Sequence, residues 1–283
     1  MPDYVFLNGE FFPPEEAKIS VFDHGFLYGD GIFETMRAYD GRIFLLGEHL
    51  DRLFRSAQDL ELKIPYTGEE LTEALRQTIS LNGQNLLIRL TVSRGPGPAG
   101  IDPRLCPKPT VVITSRESGY NERFYTEGAK ALFVKTLRNL AGATRPDIKS
   151  MNFLNNILAK IETNRAGADE GFMLNHLGQV TEGTVSNLFI VRNGNLATPA
   201  LEAGLLEGIT RHKVIVLARE EGITVEEQML LKNDFYTADE LFYTNSGSEI
   251  VPVAVLDGRR VGSGRPGEMT LKLLKLYRNA TRQ

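Results

Sequence analysis

Residues 148–162 read IKSMNFLNNILAKIE. A lysine, Lys149, stands between Ile148 and Ser150 at the entry to an apolar helical run. Phe153, Leu154, Ile157, Leu158 and Ile161 recur at helical spacing, so they share one face. That face is expected to anchor the segment in a core. A lysine at the edge of a core loses hydration, which favours the neutral, nucleophilic amine. Schiff-base chemistry requires such an amine. The competing reading is an ordinary solvated lysine ahead of a helix, and Lys149 alone does not decide between them.

Composition narrows the classes around this lysine. The chain has 283 residues, enough for a sizeable core and for one large or two ordinary domains. Hydrophobic residues make up 42% and charged residues 24%, as in ordinary globular proteins. The formal net charge is −4 and no run of Lys and Arg appears, which argues against nucleic acid as a partner. One cysteine, Cys106, excludes an intrachain disulfide and any multi-cysteine metal site. His24, His49, His176 and His212 lack metal-ligand spacing, so no metal is expected. The opening MPDYVFLNGEFF lacks a basic stretch and a long apolar run, so a signal peptide is not expected there, and no window is apolar for long enough to span a membrane. A cytoplasmic location is expected.

The local patterns predict an α+β protein with mixed sheets in two lobes. Asn8-Gly9, Asp40-Gly41 and Asp257-Gly258 read as hairpin turns. Leu50, Leu53, Phe54, Ala57 and Leu60 predict a helix from Glu48, and residues 69–82 a second. LLIRLTV (86–92) and TVVITS (110–115) are strands around a long Gly/Pro loop, residues 93–109. The polar stretch 119–128 reads as a linker. It divides a small N-terminal α/β domain, 1–118, from a larger domain, 129–283, expected to hold mixed sheets around a barrel-like core.

Further residues carry chemistry beside Lys149. In VTEGTVSNLF, Glu182 stands where a strand gives way to Gly-Thr; it is either an exposed turn glutamate or a carboxylate held to keep a ring nitrogen protonated. GLLEGITRHK puts Gly208, Ile209 and Thr210 at a helix N-terminus, where amides and dipole attract an anion, unless Thr210 is simply a cap. TNSGSE (244–249) is rich in hydroxyls and backbone donors. Arg52 lies near the apolar face of its helix, and a buried guanidinium seeks an anion.

The motifs YGDGIFETMRAYDG, HLDRLFRSA, IKSMNFLNNILAKIE, VTEGTVSNLF, GLLEGITR and SEIVPV occur in this order over almost the whole chain. In combination they resemble the class IV aminotransferases, the fold-type IV enzymes that use pyridoxal 5′-phosphate (PLP). The resemblance implies that Lys149 forms the Schiff base with PLP and that Glu182 pairs with its ring nitrogen. It assigns the phosphate to Arg52, Ile209, Thr210, Ser246 and Gly247, and packing on the ring to Leu206. It also implies a ping-pong transfer from an amino donor to a 2-oxo acid, and a homodimer with pocket residues from both subunits.

Substrate choice is less distinct. Tyr28, Phe33, Arg37 and Arg89 resemble the pocket of branched-chain aminotransferases, and Arg94 is a candidate carboxylate clamp. Leu87 and Phe153 stand where that branch usually has tyrosines, and VSNLF is closer to the D-amino acid and lyase branches. The expectation is an aminotransferase for aliphatic L-amino acids with relaxed specificity. The alternatives are a D-amino acid aminotransferase or an aminodeoxychorismate lyase, which releases pyruvate with the same lysine and glutamate. A binding protein that keeps the fold without turnover is the remaining reading, and an intact Lys149 and Glu182 argue against it.

Overall fold

The computed structural model describes residues 3–282. The chain forms two units: one runs up to Gly119 and takes in Ile148–Asn152, and the other comprises Tyr120–Asp147 and Phe153 onward.

The first unit holds β1 (Val5–Leu7), β2 (Glu10–Phe12), α1 (His24–Tyr28), β3 (Gly31–Tyr39), β4 (Arg42–Ile43), α2 (Leu46–Asp59), α3 (Gly68–Asn82), β5 (Leu86–Ser93) and β6 (Thr110–Glu117). The six strands form one sheet in the order β2-β1-β6-β5-β3-β4, antiparallel throughout. The β1–β2 hairpin turns on Asn8 and Gly9, whose φ values of 51° and 106° fit the two left-handed positions of its tight turn. Helix α3 starts with a capping box: Glu70 N donates to Thr67 Oγ1 at 3.2 Å, and Thr67 N donates to the Glu70 carboxylate at 2.7 Å. Helices α2 and α3 pack on the sheet through Leu53, Leu71 and Leu75. Each is at most 1% exposed, and burying each such side chain contributes roughly 1.5–3 kcal/mol.

The second unit holds α4 (Glu122–Thr126), β7 (Ala129–Phe133), α5 (Ala141–Thr144), α6 (Leu154–Arg165), β8 (Glu170–Leu174), β9 (Val180–Gly183), β10 (Asn187–Arg192), β11 (Asn195–Pro199), α7 (Ile209–Glu220), β12 (Val225–Gln228), α8 (Lys232–Tyr236), β13 (Glu240–Asn245), β14 (Glu249–Leu256), β15 (Arg259–Arg260) and α9 (Glu268–Ala280). Its nine strands run β12-β11-β10-β13-β14-β7-β8-β9, with β15 paired to β14. The pairs β11–β12, β14–β7 and β7–β8 are parallel and the others antiparallel, so the sheet is mixed as expected. Strand β9 comes back against β10 and β11, so the sheet curls into a half-barrel. Residues 119–128 include α4, where Tyr125 is buried.

One expectation fails. Helix α6 begins where the pattern puts it, but its apolar face does not enter the core. Leu154, Ile157, Leu158 and Ile161 are 69%, 53%, 47% and 39% exposed. The helix instead buries Asn156, Ala159 and Thr163. Periodicity shows which residues share a face and is silent on what covers it. Small and polar residues face inward here because they pack closely and bond backbone: Thr163 Oγ1 donates to Ala159 O, and Asn156 Nδ2 to Thr184 O.

Candidate active site

Lys149 is placed by strand pairing rather than by the helix after it. Phe33 N donates to Lys149 O at 3.0 Å, and Met151 N to Gly31 O at 2.8 Å, with Ser150 opposite Ile32. Residues 149–151 therefore lie antiparallel beside the start of β3 through one bridge, and Ile148 joins the core of the first unit. This close approach requires Gly31: a Cβ there would lie 2.6 Å from the Met151 sulfur and 2.7 Å from Val92 O.

Side chains alternate along β3, so Phe33, Thr35 and Arg37 share one face and Ile32, Glu34 and Met36 the other. In the β3–β5 register, Phe33, Thr35 and Arg37 lie opposite Thr91, Arg89 and Leu87. Lys149 Nζ sits 4.7 Å from the centroid of the buried Phe33 ring, and the Arg89 guanidinium carbon lies 3.5 Å from the same ring. Arg89 Nε donates to Thr91 Oγ1 at 3.2 Å. The fold thus brings Lys149, Phe33 and Arg89 together, with Arg37 buried further along the same strand over the Tyr39 ring.

The core face of β3 carries a buried ionic cluster. Arg52 Nε and Nη2 donate to the two oxygens of Glu34 at 2.7 Å each, and His49 Nδ1 lies 2.7 Å from Glu34 Oε2. Arg52, an expected phosphate ligand, therefore has this bidentate partner within its own unit. Burial pushes the Glu34 carboxyl up, but the charge of Arg52 and the hydrogen bonds from His49 and Arg52 outweigh it and hold the group at about 2. Burial lowers His49, against its hydrogen bond to Glu34, and the charges of Arg52 and Lys149 add to the lowering. Both shifts have the same sign in linkage. A depressed carboxylate gives stability that is lost as pH falls from 4.5 towards 2, and a depressed histidine makes the folded state resist protonation below 6.5. Denaturant unfolding at pH 7, 5 and 3 is expected to show steadily falling stability, and Glu34→Gln a flatter profile below pH 5. An unchanged profile in the variant would refute this assignment.

Two expected substrate contacts have structural partners. Arg94 is 6% exposed and donates to both Asp30 oxygens and to the carbonyls of Leu60 and Glu61. Those bonds tie the end of α2 to the start of β3. The Tyr28 hydroxyl accepts from Gly100 N at 3.2 Å and so holds the 93–109 loop, which also contacts His24 Nε2 through Pro98 O.

In the second unit Glu182 is buried and ion-paired. Arg138 Nε donates to its Oε1 at 2.5 Å, and Leu206 N to its Oε2 at 3.1 Å; the two charged side chains are 9% and 7% exposed. The turn reading of Glu182 is thereby excluded. Arg138 is itself held by α6. Its Nη1 lies 3.5 Å from Asn155 Oδ1, Asn155 Nδ2 donates to Leu137 O, and Glu162 accepts from the amides of Lys135 and Thr136. Sequence reading missed Arg138, Glu34 and His49. Each has a partner remote in the chain, and no local pattern marks them.

Gly208 caps α7 without a side-chain bond, so the first-turn amides of Ile209 and Thr210 have no acceptor within the helix or its cap. A Cβ at Gly208 would lie 1.9 Å from Asn187 Oδ1, and Asn187 Nδ2 in turn donates to Leu206 O at 2.9 Å. At the turn from β13 into β14, Asn245 Oδ1 accepts from Gly247 N and Ser248 N, and the buried Thr244 Oγ1 just before it has no hydrogen-bond partner. Ser246 is half-buried, as are Leu206 and Phe153, the residue that opens α6. Among the described residues no group of three or more His, Cys, Asp or Glu could hold a metal ion.

The family model for amino-transferase class IV matches residues 31–256. A Methanocaldococcus jannaschii protein provisionally named a branched-chain-amino-acid aminotransferase is 47% identical over 276 residues, 97% of this chain and 95% of its own. A Staphylococcus haemolyticus D-alanine aminotransferase is 36% identical over 95% of this chain and 94% of its own. The Escherichia coli branched-chain amino acid aminotransferase superposes with a TM-score of 0.95 at 33% identity, covering 99% of this chain and 94% of that one. Another branched-chain amino acid aminotransferase, solved with pyridoxamine 5′-phosphate, also superposes with a TM-score of 0.95, at 35% identity and the same coverage. The chain belongs to the class IV aminotransferases. It is a PLP-dependent transaminase. Within the second unit the donors present fit the cofactor: a buried carboxylate, a helix N-terminus without a side-chain cap and the buried hydroxyl of Thr244 that lacks a hydrogen-bond partner.

Proposed function

We propose that the enzyme transfers the amino group of an aliphatic, branched-chain-like amino acid to a 2-oxo acid, one product leaving before the second substrate enters. The carrying observation is the surface around Lys149. Its Nζ faces the buried Phe33 ring, the Arg89 cation lies on that ring, and Leu87 is on the same side of the sheet. An apolar wall suits an aliphatic side chain, and a nearby cation suits a carboxylate. The branched-chain names of relatives support the reading.

PLP, when bound, supplies an electron sink for the substrate's α-carbon. Lys149 would hold the cofactor through its amine, and that amine would move the proton that leaves the substrate's Cα. Glu182 would keep the ring nitrogen protonated, its carboxylate held in place by Arg138. Leu206 would pack on the ring, and the Ile209 and Thr210 amides, Ser246, Gly247 and Arg52 would hold the phosphate. Phe33, Arg37, Arg89, Tyr28 and Phe153 act on the substrate. Arg94 has no part in this assignment, because its guanidinium already serves Asp30 and two carbonyls.

The reading includes a homodimer. The outward row of Leu154, Ile157 and Leu158 on α6 needs cover, and contiguous exposed apolar surface marks an interface. A cytoplasmic location suits the lone thiol of Cys106.

The test is the half-reaction, followed by the cofactor's absorbance without any acceptor. L-leucine is expected to convert the yellow enzyme to the colourless amine form. Conversion by D-alanine alone would overturn the branched-chain assignment in favour of the D-amino acid branch, which the D-alanine aminotransferase relatives represent. If neither converts it, pyruvate release from aminodeoxychorismate becomes the assay.

A further inference from the structure

Glu249 is fully buried, at 0% exposure, yet adopts φ 61°, a left-handed backbone that non-glycine residues rarely take. Such strain persists only where surrounding contacts over-determine it, and an observed outlier is a pointer to function. The contacts are explicit. The Glu249 carboxylate accepts from the Tyr120 hydroxyl at 2.6 Å and from Arg278 Nε at 2.8 Å. The Arg278 guanidinium carbon lies 4.6 Å from the Tyr120 ring centroid and 4.7 Å from that of Tyr125. Tyr125 closes the set by donating to Ser248 O at 2.7 Å.

These residues come from separate places: Tyr120 and Tyr125 from the start of the second unit, Arg278 from α9, Ser248 from the loop between β13 and β14, and Glu249 from the first position of β14. Asn245 fixes the beginning of that loop through the amides of Gly247 and Ser248. The clamp fixes its end, and Ser246 and Gly247 lie between. Glu249 is buried while Arg278 is partly exposed, and such a pair is weak evidence of stability, since apolar residues of similar volume often serve as well or better in a buried position. Here the ion pair does what apolar packing does not: it sets the direction of one strained residue and the carbonyl before it.

We propose that Glu249 is a positioning residue, and that the Tyr120–Glu249–Arg278 clamp holds Ser246 and Gly247 in the shape that receives the cofactor's phosphate. The inference rests on the assignment of Ser246 and Gly247 to that phosphate and adds what keeps them in place.

Binding distinguishes this from a merely structural role, because PLP and pyridoxal differ only in the phosphate. The experiment measures dissociation constants of both for the apoprotein, with inorganic phosphate as competitor, in wild type, Tyr120→Phe, Glu249→Gln and Ser246→Ala. Tyr120→Phe removes one hydroxyl and keeps the ring under Arg278, so it tests the clamp even if Glu249→Gln fails to fold. Both clamp variants are expected to weaken PLP about tenfold, the equivalent of roughly 1.4 kcal/mol, and to weaken phosphate competition in parallel. Pyridoxal is expected to bind as in wild type. Equal losses for PLP and pyridoxal, or unchanged PLP affinity in Tyr120→Phe, would overturn the clamp. If Ser246→Ala alone loses PLP, the phosphate assignment stands and the clamp falls. If Ser246→Ala keeps full PLP affinity, the phosphate assignment falls and takes the clamp with it.

Discussion

Lys149→Ala is expected to reduce turnover roughly a thousandfold, within the range set by removing a positioned general base. Lys149→Arg separates the roles of this side chain. Arginine keeps a cation over the Phe33 ring, 4.7 Å from Nζ in the native chain, but it does not deprotonate. If Lys149 served only as a cation on the aromatic face, Lys149→Arg would retain most activity. The assignment as carrier and base predicts that arginine is as inactive as alanine, and that the absorbance of covalently held PLP disappears in both. Added small amines are expected to restore part of the activity to Lys149→Ala and none to Lys149→Arg, because the alanine leaves space for a free base. Activity above a tenth of wild type in Lys149→Arg would sink the assignment. Stability should change little, since Lys149 is only half-buried and the backbone bond that its carbonyl accepts from Phe33 remains.

What the sequence made legible follows from where the information lies. The hairpins at Asn8-Gly9, Asp40-Gly41 and Asp257-Gly258 are local: two left-handed residues in succession select Asn or Asp followed by Gly, and all six adopt positive φ. Helices α2 and α3 announce themselves by period, and the cap of α3 by Thr67 and Glu70. The identities of Lys149 and Glu182 came from motif order, which records chemistry rather than geometry. What stayed hidden is pairing across long separations. Nothing local says that Lys149 docks on β3 beside Phe33 or that Arg94 is spent on Asp30. The same limit turned α6 around: Leu154, Ile157, Leu158 and Ile161 do share a face, but it points out of the chain. An exposed apolar row is a request for a partner, and a single sequence does not show whether a core or a second molecule answers it. The clamp on Glu249 was equally invisible, since its strain exists only in φ.

The Arg138–Glu182 pair offers the second large effect, on stability and chemistry at once. Both side chains are under a tenth exposed and meet at 2.5 Å. Removing one partner leaves the other charged and buried, which costs about 3–5 kcal/mol. Arg138→Met is therefore expected to lower Tm by roughly 6–20 °C, taking about 2–4 °C per kcal/mol for a chain of this size class. Glu182→Gln strands Arg138 and should cost a similar amount. It should also lower turnover by about 10²–10³-fold, the usual loss when a preorganised electrostatic contact to developing charge is removed. The double variant Arg138→Met/Glu182→Gln separates the two effects. No unpaired charge remains, and the glutamine carbonyl still accepts Leu206 N–H, so most of the lost Tm should return. Turnover should not return, because a neutral amide does not hold the ring nitrogen in its protonated form. A double variant that is stable and inactive assigns the carboxylate to the chemistry and Arg138 to keeping it charged and aimed. A double variant with wild-type turnover would make the pair purely structural, and the partner of the ring nitrogen would have to be sought elsewhere.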